Sequence, residues 1–301
     1  MGLTLRAPAK INLYLKVLSC RPDGYHNIFS LMQMIGLYDI LTFQEEAVQI
    51  RLEVTGGTAP SDQTNLVLRA ARMLQKEMKK THQITRGATI RLEKNIPVSA
   101  GLGGGSSDAA STLMGLNRLW SLGLSRAVLA RLGGYIGSDV PFFFQGPFAW
   151  VSGKGEIVQK AGLPVGGFIV LVFSGEPVST AHVFHQIGSE LDLTKRREAI
   201  TMGAVASVEK VLLHPENDLE SVTLKMQPNL IKVKHLLESF GGSGALMSGS
   251  GPSVFARFSN KEAAECAASK MREAGYSEVW VAPLLERVPR GFSKETFSDS
   301  I

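Results

Sequence analysis

A glycine-rich stretch in the first half of the chain carries the strongest chemical signal. Residues 97–112 read PVSAGLGGGSSDAAST, with four glycines in five positions directly before a run of helix-forming residues. Glycine costs about 0.5–1 kcal/mol relative to alanine inside regular structure, so this density favours a functional role. A glycine-rich turn that begins a helix exposes backbone N–H groups and the positive end of the helix dipole, and phosphate is a common ligand of such a site. We therefore predict a phosphate-binding loop.

Two familiar nucleotide-binding motifs are excluded at this loop. A P-loop ends in Gly-Lys-Ser/Thr, and no lysine is present here. A Gly-x-Gly-x-x-Gly motif fails because its last glycine is replaced by Ser106 in one reading and by Asp108 in the other. The hydroxyls of Ser106 and Ser107 can hydrogen-bond a phosphate or bind Mg²⁺ through it. A flexible turn before a helix is the alternative interpretation, and a second glycine loop, GGSGALMSGSG at 241–251, has a weaker claim to function.

Two charged residues in otherwise apolar segments are candidates for the groups that phosphoryl transfer needs. Lys10 lies in PAKIN at the start of a predicted strand. Asp139 lies in GSDVPFFF, where Val140 before proline favours extended geometry and therefore a corner between a helix and an aromatic strand. Phosphoryl transfer requires a phosphate cradle, Mg²⁺, a cation, and a carboxylate that receives or orients the acceptor hydroxyl. The alternatives are a solvated lysine and a turn-forming aspartate.

The composition of the chain indicates which classes of binding partner to expect. The 301 residues are 44% hydrophobic and 20% charged, with a net charge of +5 spread along the chain. This diffuse charge does not predict nucleic-acid binding, which favours a basic stripe, but it suits an anionic small substrate. Cys20 and Cys266 are far apart, so we expect neither a disulfide framework nor a zinc site. The start of the chain shows no signal peptide and no apolar run is long enough for a membrane span, so we expect a cytoplasmic protein without a membrane partner.

The elements that position these residues follow from the hydrophobic pattern. Leu3–Leu18 alternates with a period near two and predicts a strand, and Ile40–Phe43 and Ile50–Val54 are further strand candidates. A helix begins after Thr64 or Asn65, because its apolar residues then share one face. The other segments predicted in this half are a strand in ATIRLEKNIPV (88–98), a helix in SSDAASTLMGLNRLW (106–120), a helix capped by Ser125 that ends by Gly133 or Gly134, and a hairpin in FAWVSGKGEIVQKA (148–161).

The second half predicts a separate domain. The stretch VGG at 165–167 is the candidate junction between a domain at 1–164 and a domain at 165–284, and polar, aperiodic residues 285–301 predict a tail. Without additional helices, the predicted order after the junction is βαββαβ, the split-βαβ pattern. The predicted strands are Phe168–Phe173, Ala245–Met247, Ser253–Phe258 and Glu278–Ala282. The predicted helices are Thr180–Glu190, Glu198–Leu213, Leu230–Phe240 and Lys261–Ala274.

Several of these motifs resemble one family. PVSAGLGGGSSDAA resembles the signature loop of the GHMP kinases, which include galactokinase, homoserine kinase and mevalonate kinase, and LMSGSGPSVFARF resembles their C-terminal glycine loop. PAKINLYLKV and RPDGYHNIFSLMQMIGLYD are similar to the branch of the family whose substrate carries a cytidine diphosphate group. The resemblance covers about residues 5 to 283. It implies an α+β, two-domain GHMP kinase fold, with an N-terminal ribosomal protein S5 domain 2-like part and a C-terminal ferredoxin-like part.

The resemblance also implies a site. Lys10 and Asp139 match the catalytic pair, with Asp139 as base and Lys10 as charge stabiliser. ATP, with Mg²⁺, would be held by Asn65, Lys94, Pro97, Val98, Ser99, Ala100, Gly101, Leu102, Gly103, Gly104, Gly105, Ser106 and Ser107. The acceptor substrate would be held by Asn12, Tyr25, His26, Thr180 and Phe184. Tyr25 and His26 match the residues that recognise cytosine, and base–aromatic stacking is worth ~1–3 kcal/mol per base.

The implied activity is phosphorylation of the 2-hydroxyl of a cytidine diphosphate ester of methylerythritol, in the non-mevalonate route to isoprenoids. Two alternatives stay open. One is a GHMP kinase for homoserine or a mevalonate derivative, although those substrates have no base to stack on Tyr25. The other is a non-catalytic nucleotide-binding relative, although Lys10 and Asp139 are both present. The sequence does not determine the oligomeric state.

Overall fold

Two β-sheets organise the protein in a computed structural model that describes residues 2–82, 85–190 and 208–289. The strands of the first sheet are β1 (Leu3–Cys20), β2 (His26–Glu46), β3 (Ile50–Thr55), β4 (Gly87–Glu93), β5 (Phe148–Gly153) and β6 (Ile157–Lys160). Its helices are α1 (Leu66–His82), α2 (Gly104–Leu119), α3 (Arg126–Gly134) and α4 (Val140–Gln145). In the order β3-β4-β2-β5-β6, β2 is central, and it also pairs with β1 along nearly its whole length.

The second sheet follows in the chain. Its strands are β7 (Phe168–Phe173), β8 (Ser243–Met247), β9 (Ser253–Phe258) and β10 (Val279–Pro283). The helices of this half are α5 (Thr180–Glu190), α6 (Val208–Leu213), α7 (Glu220–Met226), α8 (Asn229–Ser239) and α9 (Lys261–Glu273). The sheet is antiparallel in the order β10-β7-β9-β8. This arrangement confirms the βαββαβ prediction and the ferredoxin-like fold.

The long strand β2 extends well beyond the predicted segment Ile40–Phe43. Residues 28–35 are buried on both faces, because β2 lies between β1 and β5 and both sides of the sheet are covered. A strand buried on both faces has a continuous apolar sequence, so the alternation that identifies a half-buried strand is absent. Strand β2 therefore extends from the turn between β1 and β2 (residues 21–25) to the core that packs against α1 and α2.

The prediction of an aromatic strand after Asp139 is wrong. Val140–Gln145 forms helix α4, with Pro141 in its first turn and the side chains of Phe142, Phe143 and Phe144 buried. Proline is tolerated at this position because the N–H it lacks has no intrahelical partner there. A helix buried on all sides is apolar all round, and its sequence is therefore easily mistaken for a buried strand.

Most of the remaining elements lie close to their predicted positions, but helix α7 (Glu220–Met226) was not predicted. Of the predicted helix Glu198–Leu213, residues 208–213 are helical and the rest lies outside the described residues. The domain boundaries at residues 164 and 284 stay predictions. Leu285 donates its N–H to the Met34 carbonyl at 3.0 Å, and residues 290–301 lie outside the described residues. Within the described ranges, no helix has the length and apolar character that crossing a bilayer requires.

Candidate active site

A cavity of about 1230 Å³ brings together the chemically interesting residues. Its volume exceeds the roughly 300–1,000 Å³ of a pocket for one drug-sized ligand, so it has room for two substrates end to end. Its walls contain every residue predicted for catalysis, ATP and substrate except Ser107, whose side chain is buried beneath the loop. These wall residues are Lys10, Asn12, Tyr25, His26, Asn65, Lys94, Pro97, Val98, Ser99, Ala100, Gly101, Leu102, Gly103, Gly104, Gly105, Ser106, Asp139, Thr180 and Phe184.

The glycine loop (residues 97–107) has the backbone geometry of an anion site. Gly103 is the N-cap of α2 with φ 66°, a left-handed conformation that favours glycine, and no side chain caps the helix. The first N–H groups of an α-helix have no intrahelical partner, and α2 has no acidic residue in its first turn to offset its dipole. The start of α2 therefore presents free donors and positive potential to the cavity.

The predicted second glycine loop contains strand β8, and only its last four residues form a loop. These residues (248–251), for which we keep the name second glycine loop, pack against the first loop, backbone to backbone. A Cβ at Gly101, where φ is 75°, would lie 1.9 Å from the Ser248 carbonyl oxygen, so only glycine fits. The Ser248 hydroxyl donates to the Gly101 carbonyl at 2.9 Å. The Asn217 amide donates to the carbonyls of Met247 and Gly249 at 2.8 and 2.7 Å, which fixes the second loop in turn. The weaker of the two glycine motifs is thus part of the same site.

Lys10 and Asp139 lie side by side in the middle of the cavity. The Lys10 ammonium is 3.7 Å from Asp139 Oδ2, and it donates to Asn12 Oδ1 at 2.6 Å and to the Gly101 carbonyl at 2.9 Å. The side chain of Lys10 is 4% exposed and that of Asp139 is 28% exposed. Burial lowers the pKa of Lys10, and the Asp139 carboxylate opposes that effect. Lys10 lies well inside β1, so the strand holds its ammonium at a fixed position.

Asn12 extends this polar network. Its amide donates to the Ser30 hydroxyl at 2.8 Å, and Ser30 donates to the Tyr14 carbonyl at 2.6 Å. Its backbone N–H donates to the Ser248 hydroxyl at 3.3 Å. These contacts fix both the backbone and the side chain of Asn12. Its Oδ1 therefore orients the Lys10 ammonium, from which it accepts a hydrogen bond.

A buried triad of Asp39, Lys94 and Asp108 lies beneath the glycine loop. Lys94 forms ion pairs with Asp39 Oδ2 and, at 3.0 Å, with Asp108 Oδ2, while Asp39 Oδ1 accepts the N–H groups of Asn95 and Ile96 at 2.7 and 2.8 Å. The triad therefore joins β2, the chain that enters the loop, and α2.

The pKa values of Lys94 and Asp108 both rise within the triad. Burial, with the nearby Asp39 carboxyl, raises the pKa of Asp108 well above its usual 3.8, although Lys94 opposes this. Burial also acts to lower the pKa of Lys94, but the carboxyl groups of Asp108 and Asp39 outweigh it and the pKa of Lys94 rises. Folding therefore favours the protonated form of each group. The predicted role of Lys94 in ATP binding stays a prediction, since two carboxyl groups already engage its ammonium.

Asn65 stabilises the start of α1. Its side-chain oxygen accepts the Val67 N–H at 2.9 Å and its amide donates to the Pro60 carbonyl at 2.6 Å. Of the two predicted starting positions, Thr64 and Asn65, the structure thus identifies Asn65 as the N-cap of α1, whose first residue is Leu66. The same contacts hold the 60–65 segment on the wall of the cavity, near the first turn of α2.

Three rings form the other end of the cavity, which we call the aromatic end (Tyr25, His26 and Phe184). Tyr25 is 53% exposed, and the Lys154 ammonium lies 4.9 Å from its ring centroid. His26 is 7% exposed, neither of its ring nitrogens has a hydrogen-bond partner, and its ring centroid is 5.5 Å from that of Phe184. Burial, aided by the neighbouring His185, lowers the pKa of His26. A neutral imidazole with both nitrogens free can donate one hydrogen bond and accept another.

Thr180 lies on the wall of the cavity. As the first residue of α5, it shares a hydrogen bond of 2.8 Å with the Ser250 hydroxyl, and the Ser250 carbonyl accepts from Thr223 at 3.1 Å. Thr180 is thereby tied to the second glycine loop.

Sequence reasoning did not identify several residues that build the site. Asp39, Asp108 and Ser248 act through contacts with residues far away in the chain, so no local spacing indicates them. Lys154 also borders the cavity, and its only sequence signal was a position in a predicted hairpin turn. Asn217, in the segment ENDLE at 216–220, also belongs to the site, because its amide holds the second glycine loop.

The sequence matches two profiles of one family. The profile described as GHMP kinases N terminal domain matches residues 65–147, and that described as GHMP kinases C terminal matches residues 198–277. Together with the two-sheet fold, these matches show that the chain belongs to the GHMP kinase family. The predicted family and fold class are thereby confirmed.

Comparison with individual proteins shows which members of this family the chain is similar to. The chain is 44% identical over 275 residues to 4-diphosphocytidyl-2-C-methyl-D-erythritol kinase of Syntrophus aciditrophicus, covering 91% of this chain and 96% of the relative. It is 32% identical to a crystal structure of 4-(cytidine 5'-diphospho)-2C-methyl-D-erythritol kinase, with a TM-score of 0.74 over 94% of this chain and 99% of that chain. Homoserine kinase from Cytophaga hutchinsonii is 19% identical with a TM-score of 0.65 over 96% of both chains, which shows a shared fold alone.

Proposed function

We propose that the protein transfers the γ-phosphoryl group of ATP to the 2-hydroxyl of 4-diphosphocytidyl-2-C-methyl-D-erythritol. The observation that carries this proposal is the single cavity in which a glycine loop, a Lys10–Asp139 pair and an aromatic end meet. The names of the relatives at 44% and 32% identity support the same substrate. The reaction would be a step of the non-mevalonate route to isoprenoids. A cytoplasmic location accords with two free cysteines, and the partners would be small molecules.

In the proposed mechanism, Asp139 acts as the base for the acceptor hydroxyl. Its carboxylate is partly exposed to the cavity, makes no capping bond to α4, and is free to accept a hydrogen bond from the substrate. General-base catalysis of this kind contributes typically 10²–10⁴-fold. Lys10 lies against the same carboxylate and would place a positive charge beside the transferring phosphoryl group.

The glycine loop would hold the phosphates of ATP. Its free N–H groups at the start of α2 face the cavity, and the positive end of the helix dipole favours the anionic ligand. The loop is anchored by Lys10 and Ser248 through the Gly101 carbonyl, so the phosphates and the catalytic pair would keep a fixed spacing. The adenine would lie towards Asn65, at the far wall of the same end.

The residues at the start of α2 also fit Mg²⁺. Ser107 Oγ and Asp108 Oδ1 are buried oxygens without a hydrogen-bond partner. Mg²⁺ is usually bound by one or two carboxylates together with substrate phosphates. A larger acidic cluster is therefore not needed, and the described residues contain no group of three metal-binding side chains. We propose that Asp108, which borders the cavity, and Ser107 next to it in the chain would hold the ion. A bound cation would favour the ionised form of Asp108 and would neutralise charge on the phosphates.

The aromatic end would bind cytosine. Tyr25 and Phe184 offer ring faces for stacking, and the unpartnered nitrogens of His26 offer one donor and one acceptor for the edge of the base. Homoserine and mevalonate have no base to occupy this end, so a kinase for either would leave a buried imidazole without a partner. Such an orphaned polar group costs about 1–3 kcal/mol, which disfavours the alternative.

The test is a coupled ADP-release assay on a panel of acceptors: the diphosphocytidyl substrate, homoserine, mevalonate and galactose. We expect turnover of the diphosphocytidyl compound alone, dependent on ATP and Mg²⁺. Turnover of homoserine or mevalonate without the cytidine compound would overturn the substrate assignment. ATP binding by calorimetry without turnover of any acceptor would instead support a non-catalytic relative.

A further inference from the structure

Two backbone N–H groups of the second glycine loop have no hydrogen-bond acceptor in the described part of the protein. They belong to Gly249 and Ser250, which are both buried and both border the cavity. The turn that these residues form is closed by the Gly251 N–H, which donates to the Ser248 carbonyl at 2.9 Å. Buried N–H groups in folded proteins are nearly always hydrogen-bonded, so we expect a ligand in the cavity to accept these two.

The hydroxyls of Ser250 and Thr180 supply a third donor. They share one hydrogen bond of 2.8 Å, and among the described residues neither hydroxyl has another partner. Each hydroxyl carries one hydrogen, and the shared bond uses only one of the two. The other hydrogen is therefore left for a ligand. Ser250 is 4% exposed and its carbonyl accepts from Thr223 at 3.1 Å, so the loop holds this donor in place.

The surroundings of these donors favour an anion. Successive N–H groups at a turn with a residue in the left-handed region form a concave anion site, and Gly249 has φ 55°. A Cβ at Gly249 would lie 3.4 Å from the Lys10 ammonium, so a positive charge adjoins the loop. Thr180 is the first residue of α5, which has no acidic residue in its first turn, so the positive end of this helix dipole also lies beside Ser250.

The position of the loop indicates which anion it would bind. Gly249 adjoins Lys10, whereas Ser250 is bonded to Thr180. Phe184 of the aromatic end follows Thr180 by four residues on α5, and residues at this spacing lie on the same face of a helix. The second glycine loop thus connects the Lys10–Asp139 pair to the aromatic end. In the proposed acceptor, a diphosphate separates the cytidine from the hydroxyl that receives the phosphoryl group.

We propose that the second glycine loop is an anion site for the diphosphate of the acceptor substrate. Its donors would be the N–H groups of Gly249 and Ser250 and one hydroxyl hydrogen of the Ser250–Thr180 pair. This inference rests on the proposed function, because its ligand is the acceptor of that reaction. The two glycine loops would then serve different substrates, the first binding the phosphates of ATP and the second those of the acceptor.

The experiment compares the binding of cytidine, cytidine monophosphate and cytidine diphosphate to the full-length protein. A non-hydrolysable ATP analogue is kept at saturation, so that the cytidine phosphates cannot occupy the first glycine loop. We expect cytidine diphosphate to bind at least about tenfold more tightly than cytidine. Ser250→Ala should weaken the binding of cytidine diphosphate by about tenfold and leave that of cytidine unchanged, because the hydroxyl contacts the phosphate and not the base.

Ser253→Ala is the matched control. Ser253 is a buried serine at the start of β9, its hydroxyl has no hydrogen-bond partner, and it does not border the cavity. This variant should bind all three ligands like the wild type.

A second measurement observes the backbone donors, which Ser250→Ala leaves in place. In ¹⁵N–¹H spectra of the analogue-loaded protein, the amide protons of Gly249 and Ser250 should move downfield with cytidine diphosphate and much less with cytidine. Amide signals that respond equally to both ligands would overturn the proposal.

Two results of the binding series would also overturn it. One is an equal loss of affinity for cytidine and cytidine diphosphate in Ser250→Ala. The other is a gain from the phosphates that persists in Ser250→Ala but disappears in Lys154→Met, since the ammonium beside Tyr25 would then be its source. If none of the three ligands binds, the cytidine assignment fails and this proposal fails with it. If cytidine binds and the phosphates add no affinity, only the second anion site is wrong.

Discussion

Gly105→Ala separates the phosphate-binding role of the glycine loop from its structural role. Gly105 is the second residue of α2. Apart from its own helix, the nearest atom to a Cβ at this position would be Leu66 Cδ1 at 3.6 Å, which is an ordinary van der Waals contact. The other glycines of the loop lack this freedom. A Cβ at Gly103 would lie 2.9 Å from Lys10 Cγ with φ at +66°, and one at Gly104 would lie 3.0 Å from Ile96 and Lys94.

We expect Gly105→Ala to raise the thermal stability of the protein and to lower its affinity for ATP. Replacing glycine by alanine within a helix stabilises by roughly 0.5–1 kcal/mol, which for a chain of this size raises Tm by about 2–4 °C at most. Gly105 borders the cavity, however, so we expect the added methyl group to take up space that a phosphate at the first turn of α2 would need. Loss of one hydrogen bond to a charged group costs about 1.5–3 kcal/mol, so ATP affinity should fall about 10- to 150-fold.

The assay pairs calorimetric titration with a non-hydrolysable ATP analogue and thermal melts without ligand. Gly134→Ala is the matched control, because Gly134 is also helical, its Cβ would meet only Pro141 Cγ at 3.7 Å, and it does not border the cavity. We expect the control to bind the analogue normally. A stable Gly105→Ala protein that binds the analogue as tightly as the wild type would refute a phosphate site at the start of α2.

Three further predictions concern the other parts of the site. Asp139→Asn should lower kcat by about 10²–10⁴-fold with ATP affinity and Tm unchanged, as measured by steady-state kinetics and melts. Tyr25→Ala should raise KM for the cytidine substrate about 5- to 150-fold by removing ~1–3 kcal/mol of stacking, whereas Tyr135→Ala, which changes a 72% exposed ring away from the cavity, should not. Asp108→Asn should gain stability relative to the wild type as pH rises. The pKa of Asp108 is raised in the folded protein, so above about pH 4 the unfolded chain releases a proton that the folded wild type still binds, and the wild type loses stability.

Each of these predictions has an outcome that contradicts it. Asp139→Asn that keeps more than roughly a tenth of the wild-type kcat would make Asp139 a turn residue and not a base. A fall in Tm of Tyr25→Ala with both KM values unchanged would make Tyr25 a packing residue. For Asp108, urea unfolding of ligand- and metal-free protein at several pH values decides. A difference in unfolding free energy that does not vary with pH would mean that the carboxyl titrates normally in the folded state.

The position of the glycine loop at the start of a helix could be predicted from the sequence because its signal is local. The glycines, the two serines and the helix after them are consecutive in the chain, so one stretch contains both the geometry and the ligand chemistry. The second sheet was predictable for a related reason, since its short strands and helices change period clearly at each boundary. Lys10 and Asp139 were found because each is a charged residue in an apolar segment.

Contacts between distant residues could not be predicted from the sequence. Lys94 and Asp39 are 55 positions apart, and Ser248 and Gly101 are 147 positions apart, so nothing in either segment indicates the partner. The helix α4 was mistaken for a strand because burial on all sides removes the periodicity that distinguishes the two. The orphaned nitrogens of His26 are a property of packing around β2 and α5, which only the three-dimensional arrangement shows.

The shared acceptor at Gly101 has a consequence for biosynthesis. Its carbonyl accepts from Lys10, near the start of the chain, and from Ser248, more than 230 residues later. A ribosome releases these partners in sequence order, so a nascent chain that has already emerged through α2 still lacks the second glycine loop. The glycine loop therefore gains both of these contacts only after residue 251 has left the exit tunnel. Until then the growing polypeptide contains Lys10 and Asp139 but lacks the Ser248 hydrogen bond that anchors the loop beside them.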